Sequence, residues 1–201
     1  PYEMLGNPEL KAEVNNQADI NVGYKSINTN VSISLFTSYL TDYISSEIDP
    51  GLTPKMPSSP GVRRFVNIDK ALMSGFEVTW SQRLIAGLSH QLSAAYTYGQ
   101  NTVLDQPLPE IAPLDMRYVL SGSYLKGKLT PEVALRHVIQ QDRISTEFGE
   151  TTTPAFTLID ASISYKPFDI LSATIGAQNI FDIAYYEHLS RSVPGTNPRP
   201  I

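Results

Sequence analysis

The stretch from Ala155 to Arg191, AFTLIDASISYKPFDILSATIGAQNIFDIAYYEHLSR, decides the fold. In its first half Thr157, Ile159, Ala161, Ile163 and Tyr165 are larger or more apolar than the intervening Asp160, Ser162 and Ser164. Pro167-Phe168-Asp169 reads as a tight turn. Beyond it Leu171, Ala173, Ile175 and Ala177 alternate with Ser172, Thr174, Gly176 and Gln178. Alternation with period two, broken by a turn, predicts a β-hairpin with one apolar and one small-polar face. Such an apolar face meets another sheet in a soluble sandwich. In an outer-membrane barrel it meets lipid, and the small-polar face lines a wet lumen.

The same pattern recurs upstream. The opening PYEMLGNPELKAEVNNQ carries Pro, Gly and Asn punctuation and reads as loop. Strands are predicted from Ala18 to Lys25, from Asn30 to about Ile48, from about Val62 to Leu84, and from Leu88 to Tyr98. Two more follow, around Tyr118–Tyr124 and from Leu129 to Ile139, and the hairpin brings the total to about eight. The connections alternate in length: short at 26–29, 85–87, 126–128 and 167–169, long at 49–61, 100–113, 145–154 and after Phe181. Short turns on one edge and long loops on the other mark a bacterial outer-membrane barrel, whereas a sandwich does not sort loop lengths by edge. Strands of roughly 12 to 20 residues suit a tilted span, which needs about 9–11 residues plus extensions. Tyr39, Tyr43, Tyr96, Tyr98 and Tyr165 near strand ends fit interfacial girdles. The fold class expected is therefore all-β, an antiparallel up-and-down transmembrane barrel.

Composition narrows the function classes. Charged residues make up 17% of 201, below the roughly one quarter usual in soluble domains. A net charge of −5 without a Lys/Arg cluster argues against nucleic acid. There is no cysteine, hence no disulfide framework or thiolate metal site. No apolar run approaches the roughly 18 residues of a membrane helix. Pro1 opens no signal peptide, so an exported chain beginning there reads as a processed product or a fragment.

Three motifs then resemble one family. Asn7-Pro8-Glu9-Leu10-Lys11 with Glu13 resembles the NPxLKPE segment of TonB-dependent outer-membrane receptors, with Ala12 in place of the usual proline. Asn67, Ala71, Gly75 and Glu77 resemble their N-x-x-x-A-x-x-x-G-x-E strand. Gln178-Asn179-Ile180-Phe181-Asp182 with Tyr185 is similar to their near-terminal NLFD-x-x-Y motif. Two more stretches, Leu108-Pro109-Glu110-Ile111-Ala112-Pro113-Leu114 and Tyr186-Glu187-His188-Leu189-Ser190-Arg191, look most like the receptors for metal ions, metal chelates or cobalamin.

The resemblance covers essentially the whole chain and implies eight strands of a 22-stranded barrel in the bacterial outer membrane. It also implies active transport of a metal ion, siderophore or cobalamin-like ligand, powered by the TonB–ExbB–ExbD system. The plug, the TonB-engaging motif and the last strand, expected after Arg199-Pro200-Ile201, are missing. Residues 1–201 therefore read as a C-terminal portion of the barrel. Its partners are then membrane lipid, a small metal-containing ligand and the energy system reached through the missing N-terminal part; no nucleic acid and no cofactor is implied.

Individual residues carry competing readings. Glu77, on the small-polar side, is either a lumen charge facing plug or substrate path or, preferably, a structural carboxylate paired with Arg83 or Arg136. Asn179 and Asp182 read as turn chemistry through side-chain-to-backbone hydrogen bonds. Glu187 and His188 could ligate a divalent metal, but one pair supplies too few ligands, and a solvated loop pair is the preferred reading. Three scattered histidines and no cysteine leave no catalytic constellation, so an enzyme is not expected. The alternative is a self-contained eight-stranded barrel with a structural, lipid-binding or adhesion role. In it the strand from Ala18 would pair with the one ending near Phe181, which the receptor reading forbids.

Overall fold

The computed structural model describes residues 2–190; Arg191 and the Arg199-Pro200-Ile201 end lie outside the described residues. Ten strands form: β1 (Glu3–Leu5), β2 (Val14–Lys25), β3 (Thr29–Ile48), β4 (Val62–Arg83), β5 (Leu88–Asn101), β6 (Gln106–Pro107), β7 (Asp115–Gly122), β8 (Leu129–Val138), β9 (Phe156–Phe168) and β10 (Leu171–Ala177). The described residues contain no helix. The eight long strands lie side by side in chain order, β2-β3-β4-β5-β7-β8-β9-β10. Each neighbouring pair is antiparallel. Short connections (26–28, 84–87, 123–128, 169–170) share one edge, and the long ones (49–61, 102–114, 139–155) share the other.

Register explains why the alternation was readable. Ile20, Leu35 and Phe76 are cross-strand partners in sequence, as are Trp80, Leu92 and Tyr118. The row continues through Leu135 and Ile159, and a second row four residues along β9 joins Pro131, Ile163 and Ile175. These rows make a continuous apolar band that leaves Ile20, Ile163 and Ile175 exposed. The opposite face carries Asn15, Gln17, Asp19, Ser34, Ser38 and Glu77 around a hollow, and is termed the inner face below.

The outer edges of β2 and β10 have no strand partner among the described residues, and the two strands do not pair with each other. The sheet is open, so the closed eight-stranded barrel is not formed. Three local expectations need correction. The N-terminal stretch is not all loop, because Glu3–Leu5 pairs in parallel with Val62–Arg64 of β4. β2 starts at Val14 rather than Ala18, since the long β3 offers partners out to Thr41 and backbone pairing overrides the weak local pattern of Asn15 and Asn16. β5 likewise runs on to Asn101, where Gln106–Pro107 folds back on it.

Candidate functional site

The family-like motif residues are first of all fasteners. Asn7 Oδ1 accepts the Glu9 N–H at 3.0 Å, and Asn7 Nδ2 donates to the Phe65 carbonyl at 3.0 Å. Pro8, with no N–H of its own, suits this turn. Asn67 grips the next part of this arm, the 6–13 segment between β1 and β2. Its Oδ1 accepts the Lys11 N–H at 2.8 Å, and its Nδ2 donates to the carbonyls of Lys11 (3.1 Å) and Asp42 (2.7 Å). Asp42 sits inside β3 with a φ of 53°, a left-handed conformation costly for a non-glycine residue. The Asn67 bond and an ion pair from Lys11 at 3.5 Å hold it there. Glu13 accepts the Ile44 N–H at 3.1 Å. Two motifs distant in sequence thus meet at one bend. Gly75 has a different cause: a Cβ there would lie 2.3 Å from the Tyr96 carbonyl oxygen and 2.5 Å from the Phe36 ring.

After β10, Asn179 does the turn chemistry expected of it. Its Oδ1 accepts the Ile183 N–H at 2.9 Å, its Nδ2 donates to the Ile183 carbonyl at 3.0 Å, and its carbonyl accepts the Asp182 N–H at 2.8 Å. Asn179 and Asp182 both take positive φ, 46° and 50°. Phe181 remains exposed.

At the long-connection edge two segments fold over the inner face. The first is the Leu108–Leu114 stretch. Leu108 is fully buried and Ile111 nearly so, packed on Leu40 of β3 and Ala71 of β4. Gly99 admits them, since a Cβ there would stand 2.7 Å from Ile111 Cδ1. Gln141 Nε2 donates to the Ile111 carbonyl at 2.7 Å. The second is the segment after β10, where Tyr185 lies 4.5 Å from the Phe156 ring over the Val138–Phe156–Leu158 cluster.

Arg136 joins that second segment to the sheet. Its Nε and Nη2 donate to Asp115 at 2.6–3.1 Å, and its Nη1 donates to Glu187 at 2.6 Å. The expected pairing of Glu77 with Arg83 or Arg136 is therefore corrected. Asp115 stands on the neighbouring strand β7, opposite Val138 and diagonal to Arg136, and captures the guanidinium. No ion pair to Glu77 occurs among the described residues, and Glu77 lines the hollow instead.

Glu187 and His188 part company. Glu187 goes to Arg136, whereas His188 Nε2 lies 3.6 Å from Glu150 Oε1 and His188 Nδ1 lies 3.3 Å from Thr153 Oγ1. The His188 side chain is only 3% exposed, which corrects the solvated reading. No group of three or more His, Asp or Glu residues among the described residues is placed to hold a metal ion. Glu150 is the residue that sequence reasoning missed. It accepts the Glu110 N–H at 2.6 Å and the Ser145 N–H at 2.8 Å, and nothing in its loop sequence distinguishes it from any solvent-facing carboxylate.

The sequence matches the family described as TonB dependent receptor-like, beta-barrel, over residues 1–180. No curated protein matches it. Among solved structures it is similar to the copper transporter OprC, with a TM-score of 0.78, 23% identity, and coverage of 90% of this chain and 27% of that one. It is also similar to the FrpB iron transporter from Neisseria meningitidis (F3-3 variant), with a TM-score of 0.68 and 20% identity over 99% of this chain and 30% of that one. The siderophore receptor PirA from Acinetobacter baumannii gives 0.67 and 16% over 98% and 32%. The chain spans less than a third of the length of these proteins, and at these identities the likeness speaks to the fold.

Proposed function

The chain belongs to the TonB-dependent receptor β-barrel family, whose barrels lie in the bacterial outer membrane, and from that premise we propose that it forms part of the barrel of an active-transport receptor. The cargo is a metal ion, a metal chelate such as a siderophore, or a cobalamin-like ligand. Energy comes through TonB–ExbB–ExbD, and the chain does no chemistry on what passes. One observation carries this reading: a sheet with an apolar band outside and a polar face inside has both metal-receptor-like segments, Leu108–Leu114 and Tyr186–Ser190, folded over the inner face at its long-connection edge. The apolar band is then the lipid contact, since membrane strands alternate apolar-out and polar-in. Its likeness to a copper transporter and an iron transporter supports the class of cargo.

The test is uptake of radiolabelled copper(II), ferric enterobactin and cobalamin by cells that carry or lack the gene, each with and without TonB. Loss of one cargo on deletion, with the same loss when TonB is absent, is the expected result. Unchanged uptake of all three would overturn the reading.

A further inference from the structure

The connection from Ile139 to Ala155 is fixed at its far end to β3 and β4. The Ile48 N–H donates to the Glu147 carbonyl at 3.1 Å, and the Arg63 guanidinium lies 3.6 Å from the Phe148 ring centre. Glu150 projects from this fixed strap, its side chain only 11% exposed. One carboxylate oxygen takes the Glu110 N–H of the Leu108–Leu114 stretch and faces His188 of the segment after β10, while the other takes the strap's own Ser145 N–H. Three surface segments therefore converge on one carboxylate. We infer that Glu150 is a clasp that couples the two segments over the inner face, so that freeing one loosens the other.

Charge makes the clasp strong. Hydrogen bonds to an ionised acceptor exceed those between neutral groups, and a nearly enclosed carboxylate deprived of its donors is costly. His188 is also held through Thr153 on the same strap, which fixes the imidazole against the carboxylate. A ligand or partner that displaces either segment thus has an effect on the other without touching it. The inference does not need uptake to be true, because its readout is segment motion rather than transport.

The experiment is amide hydrogen exchange on the protein in lipid nanodiscs, comparing wild type with Glu150→Gln, His188→Gln and the double variant. Loss of a hydrogen bond to a charged group corresponds to roughly tenfold to a hundredfold faster exchange. Glu150→Gln should give that rise at the Leu108 and Glu110 amides and at the Ser190 amide, which donates to the Glu187 main-chain carbonyl. His188→Gln should raise exchange at Glu110 as well as at Ser190, and should add nothing in the Glu150→Gln background. Unchanged amides in the β3–β4 ladder show that each variant is folded. If Glu150→Gln does not fold, His188→Gln decides alone. Exchange at Glu110 unaffected by His188→Gln, or additive effects in the double variant, would overturn the coupling.

Discussion

Arginine placed on alternate residues of β9 separates the two faces of the sheet. Ile163 lies near the middle of β9, 42% exposed, with Pro131 of β8 and Ile175 of β10 as its cross-strand partners. All three belong to the apolar band, so Ile163→Arg sets a guanidinium in hydrocarbon. The cost near a bilayer midplane is about 2–4 kcal/mol, or roughly 30-fold to 900-fold in the folding equilibrium. Ser162 is one residue away and faces the opposite side, in register with Glu132 of β8 and Gly176 of β10. Ser162→Arg therefore meets water and a carboxylate, and cross-strand opposite charges contribute about 0.2–1 kcal/mol in its favour. Urea titration of the protein refolded into phospholipid vesicles measures both variants on one scale. Equal losses at 162 and 163, or a larger loss at 162, would refute the assignment of faces.

Three further perturbations follow from the geometry. Gly75→Ala drives a methyl into the Tyr96 carbonyl and the Phe36 ring, so the urea midpoint should fall by the equivalent of about 1–3 kcal/mol. Asn67→Ala removes the hydrogen bonds to Lys11 and Asp42; about 1–3 kcal/mol of local stability goes with them, and limited proteolysis should cut the arm before β2 while β3 and β4 stay intact. The N–H groups of Met56 and Lys55 hold the Glu3 carboxyl below the usual carboxylate range. Its hold on the 49–61 connection is thus complete above the unfolded value and lost as pH falls through the lowered folded one. Protease sensitivity of that connection should rise in acid in wild type, and Glu3→Gln should abolish the acid step.

Most of the sheet was legible because each strand has one wet and one apolar face, and this writes period two into the chain. The positions of Ile159, Ile163 and Ile175 could be assigned from alternation alone. What escaped depends on partners far away in sequence. Glu3–Leu5 is a strand only because β4 lies beside it, and Asn15-Asn16 pairs only because β3 runs past. Arg136 pairs with Asp115 and not Glu77 because the β7–β8 register sets that carboxylate diagonally beside it, a juxtaposition no motif encodes. Glu150 carried no signal at all, since its partners are two backbone N–H groups and one histidine on another segment.

Because strand order follows chain order, the sheet can grow by annexing one hairpin at a time, and each addition closes only a modest loop. Low sequence separation of this kind favours fast assembly among β proteins. The exceptions are few and all lie at the long-connection edge. The Asn7–Phe65 bond spans 58 residues and the Arg63–Phe148 contact 85. Neither can form until the strands between are in place, so the arm and the strap are the last parts to settle. By the same logic they are the first to open in partial unfolding, which sets the most labile contacts of the molecule at the long-connection rim.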